Sequence, residues 1–426
     1  MISDMRIFLC MCLLVMGLAS QDLRPEISGR LVEEGGAPRL ELWGTAKERG
    51  FAHGYLMAER IMNSFESDLG VMLLGRYPRY ESRVRTELLA NFDFTDAEVE
   101  ELEAMLKGMQ ARLPGDGTLL KKFKRLADLA DLKALNTAGD WAPYGCSSLA
   151  LDGSFTQDGD PAVVRNFDYG GLKLLLDHQF IVVVNPSEGG FGFVGVSYPG
   201  CIGVITALNS ESFFTAIHDV PVVGKDEVLT RPNVPRLIAQ RRLMLSVGGV
   251  DAIEAARKNL KVWPTMFGNN FMVASGKFRP RAPFAAVLEY DLREDIDGGV
   301  TMRCADGAGE ASTALASTNH HRLRGVSDKP PACDRYAALL AEAEARRGKT
   351  RLSLDDLFAV ASAAALPKAP RKQSRLMHGT LHQAVALLGL CELHVKLGKV
   401  GANIRDIKPV RVALRELLPT LKSAAR

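Results

Sequence analysis

The sequence predicts an α+β protein in which stacked antiparallel sheets are covered by helices. Three observations carry that prediction. Residues from about 45 to 140 repeat apolar side chains at helical spacing. After Trp141 the chain turns to short runs rich in β-branched and aromatic residues, punctuated by Gly, Asn, Asp and Pro. Helical stretches at roughly 232–260 and 334–364 then precede two last strands, around Gln383–Leu388 and Glu392–Val395. Strands in runs, then helices, then strands again do not suit a parallel βαβ fold. With 426 residues, 47% of them hydrophobic and 24% charged, the chain can build a large core. Its net charge of +3 comes from 53 basic and 50 acidic side chains that are well mixed, so there is no basic footprint for nucleic acid.

Taken in order, Ile7 to Leu18 is an apolar run preceded by Arg6 and followed by Ala19-Ser20-Gln21. That pattern predicts a secretory signal peptide over 1–20, and hence a secreted or periplasmic protein. The run falls short of the roughly 20 apolar residues of a membrane span, and no later segment is long and apolar enough to supply one. An uncleaved anchor and a misplaced start are the alternative readings. Thr45-Ala46-Lys47-Glu48 reads as a capping box opening a helix striped by Phe51, Tyr55, Ala58, Met62, Phe65 and Leu69. Thr95-Asp96-Ala97-Glu98 repeats the signal ahead of Val99, Leu102, Leu106, Met109 and Leu113, and Pro114-Gly115 stops that helix. Phe123, Leu126, Leu129 and Leu132 suggest a third stripe. The strands that follow are expected at Cys146–Leu151, Gln179–Val184, Phe191–Ser197, Gly203–Leu208 and Phe213–Ile217. Leu366–Arg375, basic and proline-containing, reads as a solvated loop.

Removal of the signal would leave Cys146, Cys201, Cys304, Cys333 and Cys391. An odd number leaves at least one thiol unpaired in an oxidising compartment, while two disulfides among the other four are allowed. None of the spacings is of the CxxC kind that holds zinc.

The switch from helical to strand pattern falls at Trp141-Ala142-Pro143-Tyr144-Gly145-Cys146-Ser147-Ser148. A glycine before a cysteine offers a flexible scissile peptide with a nucleophile beside it. Attack of the thiol on the Gly145 carbonyl, an N-to-S acyl shift and hydrolysis would free Cys146 with its own α-amine. That amine, with an ordinary pKa near ~7.7–8.0, can serve the adjacent thiol as base. Gly-Cys taken alone reads by default as a buried structural cysteine. Downstream, Arg165-Asn166-Phe167-Asp168 begins nineteen residues after Cys146, beyond a turn and a short apolar strand. Adjacent strands of one hairpin would bring Arg165 and Asp168 back to the cysteine, where the guanidinium could hold a thiolate and the carboxylate could orient the amine. A surface ion pair is the bland alternative.

Several fragments together resemble the isopenicillin-N acyltransferase-like family of N-terminal nucleophile (Ntn) hydrolases, relatives of the choloylglycine hydrolases and acid-ceramidase-like amidases. They are Trp43-Gly44-Thr45, Glu48 to Gly54, the Gly145-Cys146 junction with Asp158-Gly159 and Arg165-Asn166-Phe167-Asp168, Pro199-Gly200 to Gly203, Ala207-Leu208-Asn209-Ser210, Gly268-Asn269-Asn270-Phe271 and Ser317-Thr318-Asn319-His320. The resemblance implies a four-layer αββα sandwich preceded by a helical N-terminal segment, a self-processed N-terminal cysteine, and cleavage or transfer of acyl groups on linear amides. It also implies a light segment over 21–145 that stays associated with a catalytic chain over 146–426. Carried over by position, Cys146 matches the nucleophile, Arg165 and Asp168 its supporting pair, Asn209 an oxyanion-hole contributor and Asn319 an active-site asparagine. Asn269, Asn270, His320 and Arg335 are candidate substrate contacts. The chain departs from the family pattern at Ser147-Ser148, where Thr commonly follows the nucleophile, and at Glu211-Ser212, where Gly is usual after the Asn-Ser pair.

No metal or organic cofactor is expected. His320-His321 lacks clustered partners for a metal, and the four-residue spacing of His378 and His382 on a strand means one sheet face. The partner expected is a small-molecule amide or N-acyl substrate. Two rival readings stand beside self-processing. In one, Cys146 stays in an intact chain and uses His218-Asp219 as base and orienter. In the other, the same fold serves a secreted, non-catalytic binding protein.

Overall fold

The computed structural model describes residues 26–66, 80–140, 145–171, 173–221, 232–265, 267–304, 313–325, 332–349, 351–365 and 377–424. The Ile7–Leu18 run, the 141–144 part of the junction and the 366–375 stretch lie outside the described residues. Among the described residues, no helix is long and apolar enough to cross a membrane.

The chain opens with a hairpin, β1 (Gly29–Glu34) and β2 (Ala37–Gly44), and then enters α1 (Ala46–Glu66). The capping box forms as its sequence implies: the Thr45 N–H donates to the Glu48 carboxylate at 2.7 Å and the Glu48 N–H donates to the Thr45 hydroxyl at 3.3 Å. The second box opens α2 (Asp96–Arg112) in the same way. The third stripe does not form one helix. Phe123 and Leu126 belong to a short hairpin, β3 (Leu119–Leu120) and β4 (Arg125–Leu126), and only Leu129 and Leu132 fall in a helix, α3 (Leu129–Asn136). Lys124 reverses the chain with a positive φ of 53°, and Asp128 caps α3 with its carboxylate, so two local signals between the apolar residues override their spacing.

The remaining strands are β5 (Gly145–Leu151), β6 (Ala162–Gly171), β7 (Phe180–Pro186), β8 (Phe193–Ser197), β9 (Thr206–Asn209), β10 (Phe213–Val220), β11 (Gly268–Ser275), β12 (Ala285–Tyr290), β13 (Val300–Arg303), β14 (Ala314–Ser317), β15 (Met377–Leu387), β16 (Glu392–Leu397) and β17 (Val410–Ala413). The helices among them are α4 (Lys173–His178), α5 (Arg236–Ser246), α6 (Ala252–Val262), α7 (Asp334–Arg346), α8 (Leu354–Ala363) and α9 (Leu414–Ala424). The expected helix over 334–364 is therefore two helices. Gly348 at φ 67° ends the first, and a Ser353/Asp356 capping box starts the second.

Two sheets stack. One runs β1-β2-β7-β8-β9-β10-β11-β12-β13 and the other β14-β5-β6-β15-β16-β17. Between them lies an apolar layer that includes Val183, Val194, Leu208 and Phe214 from the first sheet and Ala150, Val163, Leu315 and Ala384 from the second. A larger cluster joins the outer face of the first sheet to α1, α2, α3, α5 and α6 through side chains such as Ile61, Met105, Leu135, Ile238 and Leu260. A third packs α7 and α8 against the second sheet through Leu339, Leu357 and Phe358. The order is helix, sheet, sheet, helix, a four-layer αββα sandwich.

The N-terminal segment is more than helical, because β2 pairs in parallel with β7 from Arg39↔Ile181 to Gly44↔Pro186. Its helices also approach unusually closely. A Cβ on Gly54 would stand 1.9 Å from the Met105 carbonyl oxygen, and one on Gly50 would stand 2.0 Å from that of Glu101. Gly54→Ala should therefore cost at least about 2 kcal/mol in urea unfolding, because the helices must separate to admit the methyl. Gly379→Ala, where a Cβ meets nothing within 4 Å, should stay within about 0.5 kcal/mol of the parent. Equal stabilities for the two variants would contradict this account of the α1–α2 contact.

Candidate active site

The site is built on the β5–β6 hairpin, whose register pairs Gly145 with Asp168, Cys146 with Phe167 and Ser148 with Arg165. Successive residues of a strand face opposite sides, so Cys146, Ser148, Arg165 and Phe167 point into the space between the sheets. Gly145 and Asp168 lie on the face toward α7. Arg165 and Asp168 lie on opposite faces of the sheet: Arg165 contacts the sulfur, while Asp168 is joined to the Cys146 carbonyl through Arg335.

Arg165, fully buried, donates through Nη2 to Cys146 Sγ at 3.1 Å and to the Ile217 carbonyl at 2.6 Å. Its Nε and Nη1 are buried with no hydrogen-bond partner. Burial pushes the Cys146 thiol up to about 11, with the Arg165 guanidinium opposing and the Asp219 and Asp168 carboxylates adding to the rise. In the intact chain this is a protonated thiol with a cation waiting beside it.

The main chain of Cys146 is held separately. Its N–H donates to Asn319 Oδ1 at 2.8 Å, and Asn319 Nδ2 donates to the Asp219 carbonyl at 2.7 Å. Arg335 ties the parts together, with Nη2 on Asn319 Oδ1 at 2.7 Å and Nη1 on the Cys146 carbonyl at 2.8 Å and on Asp168 Oδ2 at 3.1 Å. The Thr380 hydroxyl donates to the other Asp168 oxygen at 2.5 Å. Burial pushes the Asp168 carboxyl upward, against the pull of Thr380, Arg335 and Arg165. Arg335, assigned from sequence only as a candidate substrate contact, thus lies at the centre of the cluster. It comes from α7, 189 residues beyond Cys146, and no local pattern marks it.

Asn209 is not brought to this cluster. Its Nδ2 donates to the carbonyls of Met244 and Val247 at 3.0 and 2.7 Å, and its Oδ1 accepts from the N–H groups of Glu211 and Phe213, both at 3.0 Å. The side chain is saturated by the turn it holds. Its carbonyl accepts from Cys391 Sγ at 3.2 Å, in the turn after Leu387. Leu387 pairs with Ala162 and Ala162 with Leu151, five residues (151 − 146) along β5 from Cys146 and hence roughly 17 Å away along the strand. Asn209 is a turn lock, and the oxyanion role expected from the resemblance does not fit its place.

Asn269 and Asn270 are fully buried and face structure rather than a substrate space. Asn270 Nδ2 donates to the carbonyls of Thr318 and His320 at 2.9 and 2.8 Å, and so shapes the loop that carries Asn319. Asn269 accepts from Arg236 at 3.0 Å and donates to Thr265 and to the Phe267 carbonyl. His320 is half-buried beside this loop, and burial holds its imidazole below the usual range. His321, beside it, meets the Asn269 carbonyl at 3.3 Å and Asp291 at 3.5 Å.

The Cys-His-Asp alternative has no geometry here. His218 Nε2 shares a hydrogen bond with the Ser148 hydroxyl at 2.9 Å and Nδ1 one with the Asn270 carbonyl at 3.0 Å, so both ring nitrogens are occupied away from the thiol. Asp219, its neighbour on β10, points to the opposite face and pairs with Arg236. Burial holds the His218 imidazole well below its usual range, so it is neutral. His382 likewise is a core histidine, bonded to Thr206 and Gln179 at 2.9 Å each and stacked on Phe167. The His378 side chain lies outside the described residues. All five of Cys146, Cys201, Cys304, Cys333 and Cys391 are unpaired, so the disulfides the sequence allows do not form.

Asn209→Ala separates the two roles of that residue. It leaves the carbonyls and N–H groups of a buried turn without partners, which should lower urea-unfolding stability by about 2–4 kcal/mol. The reactivity of Cys146 toward iodoacetamide in the folded variant should be unchanged. Full stability with that reactivity changed tenfold or more would return Asn209 to the site.

No protein-family model matches the chain, and no curated protein matches it. Among solved structures it is similar to a variant of the conjugated bile acid hydrolase from Clostridium perfringens, at TM-score 0.43 and 13% identity over 63% of this chain and 96% of that one. It is also similar to the Caenorhabditis elegans N-acylethanolamine-hydrolyzing acid amidase ortholog, at TM-score 0.40 and 14% identity over 57% and 94%. A third is penicillin V acylase from Agrobacterium tumefaciens, at TM-score 0.44 and 12% identity over 64% and 87%.

Proposed function

We propose that this protein is a secreted, self-activating cysteine amidohydrolase that cuts its own chain before Cys146 and then hydrolyses a linear amide through an acyl-thioester on that residue. The observation that carries the proposal is the separate holding of two atoms of one residue. Arg165 holds the sulfur at 3.1 Å, and Asn319 holds the main-chain nitrogen at 2.8 Å. A structural cysteine needs neither. A nucleophile that must also present its own amine needs both.

In maturation, Cys146 Sγ loses its proton and attacks the Gly145 carbonyl carbon. The C–N bond breaks as the nitrogen takes up a proton, and the resulting thioester is hydrolysed, leaving a Gly145 carboxylate and a free Cys146 thiol and amine. The reaction is intramolecular and occurs once per molecule, so a small thiolate fraction suffices. In turnover the amine, held by Asn319, takes the thiol proton, and the sulfur attacks the substrate carbonyl. The proton passes to the leaving amine, and water activated by the same amine releases the acyl group. An amine acceptor in place of water gives acyl transfer. The Nε and Nη1 donors of Arg165 suit the negative charge that develops beside the sulfur, where a buried donor stabilises strongly. Arg335 and Asp168 fix Asn319 and the Cys146 carbonyl. The light segment, 21–145, stays attached because it supplies β1 and β2 to the larger sheet.

Intact mass and N-terminal sequencing test the reading. The parent should give two fragments, one starting at Cys146, and Cys146→Ala should stay whole. A single uncut but folded parent chain would remove the mechanism. A second measurement uses pH. With the intact-chain thiol pushed up to about 11, its thiolate fraction at pH 7 is roughly one part in ten thousand. The thiol is protonated below that value, so iodoacetamide modification of Cys146 in uncut chains should rise steadily from pH 7 towards 11. In cut chains, where the new amine can take the thiol proton, modification should already be fast near pH 8. Equal rates in the two forms at neutral pH would contradict activation by cleavage.

A further inference from the structure

Arg236, the first residue of α5, is buried with 2% exposure and is used by no step described above. Its guanidinium reaches four groups. Nη2 donates to the Gly139 carbonyl, Nε lies 3.3 Å from Asp140 Oδ1, and Nη1 donates to the Asp219 carboxylate and, at 3.0 Å, to Asn269 Oδ1. Its backbone N–H also points at both Asp140 oxygens, at 3.3 Å each, so Asp140 caps the start of α5. Asp140, Asp219 and Asn269 are all buried.

The position of Asp140 in the chain gives this cluster its meaning. Four residues, 141–144, separate Asp140 from Gly145. The upstream flank of the junction is therefore bound through Arg236 to the side chain of Asp219. The downstream flank is bound through Asn319 to the main-chain carbonyl of the same Asp219, at 2.7 Å, and from there to the Cys146 N–H at 2.8 Å. Both ends of a short connection are moored on one residue of β10. A glycine carbonyl must sit in a narrow range of distance and angle to be attacked by the next residue's sulfur. The β5–β6 register sets Gly145 opposite Asp168, and the Arg236 mooring adds a hold on the chain that enters the junction from the other side.

We infer that Arg236 is a positioning residue for self-cleavage, holding the Gly139–Asp140 end of the light segment so that the Gly145 carbonyl is presented to the Cys146 sulfur. The inference rests on the self-cleavage reading and adds to it a residue that touches neither the sulfur nor the scissile bond. The mooring is needed before the cut and not after it, since the mature thiol and amine are held by Arg165, Asn319 and Arg335. Two carboxylates share the one guanidinium, and burial pushes the Asp140 carboxyl up to about 7, with the Asp219 charge adding to the rise and Arg236 opposing it. This arrangement carries a desolvation cost that packing alone does not require.

The test follows the conversion of precursor to product in the full-length chain after synthesis, for the parent, Arg236→Met, Arg236→Lys and Asp140→Asn. Thermal melting and iodoacetamide modification of Cys146 in the cut fraction are measured alongside. Arg236→Met should slow conversion tenfold or more, and Arg236→Lys should recover part of the rate by restoring charge without the fork. In both, Cys146 of the cut fraction should react within about twofold of the parent. Conversion at the parental rate in folded Arg236→Met overturns the inference. So does a cut fraction whose Cys146 reacts as slowly as conversion proceeds, since that marks a general disturbance of the site. If Arg236→Met fails to fold, Asp140→Asn decides: it keeps the shape of the carboxylate and removes its charge, and conversion in that folded variant at the parental rate also overturns the inference. A parent that never converts would instead overturn the self-cleavage reading itself, and the two failures appear in different arms.

Discussion

The antiparallel pairing of β5 with β6 is the constraint on which the rest of the site depends. Its register places Arg165 across from Ser148 and Asp168 across from Gly145, on opposite faces of one sheet. The alternation of the pleat then does the sorting. One face carries the sulfur and a buried guanidinium into the space between the sheets, and the other carries the carboxylate toward α7, where Arg335 meets it. A slip of one residue would exchange the faces and separate the cation from the sulfur. The hairpin is held against such a slip by the apolar side chains further along it, Ala150 and Val163 toward the larger sheet and Leu149, Leu151 and Val164 toward α7 and α8.

Around that hairpin, polar groups that would be costly in a core are held by one another. Asn319 is bonded to Cys146, Asp219 and Arg335, and Asn270 fixes the loop on which Asn319 stands. His218, which in sequence beside Asp219 resembles part of a triad, is consumed by Ser148 and the Asn270 carbonyl. Not every polar atom is met: Asn270 Oδ1 has no partner, and Arg165 is fully buried with two donors, Nε and Nη1, unpaired. Each unmade hydrogen bond of that buried cation is a stability cost.

The N-terminal segment is bound to the rest of the chain in three distinct ways. It pairs strand to strand through β2 and β7, it packs the apolar faces of its helices over the larger sheet, and it is moored at its far end by Arg236. Each uses a different interaction: main-chain hydrogen bonds, close apolar contact and a buried ion pair. None of the three depends on the peptide bonds between Asp140 and Cys146.

The sequence by itself determined the parts that are local. Capping boxes at Thr45 and Thr95, the β5–β6 hairpin with its spacing from Cys146 to Arg165, and the alternation of helical and strand regions all rest on contacts within some twenty residues of chain, and all were legible. The third apolar stripe misled because a positive-φ lysine and an aspartate cap lie within it, and two local turns outweigh a spacing. What only the tertiary structure decided were the meetings across long separations: Arg335 with Asp168, Asn319 with Cys146, Arg236 with Asp140 and Asp219, and the removal of Asn209 to the far end of the sandwich. Asn209 and Asn319 are the same residue type in similar strand-to-turn settings. One is saturated by its own turn and the other holds the Cys146 N–H, and the difference arises from which end of the stacked sheets each strand presents. That choice is made by sheet order and register, which apolar burial over the whole chain fixes and no short stretch of sequence encodes.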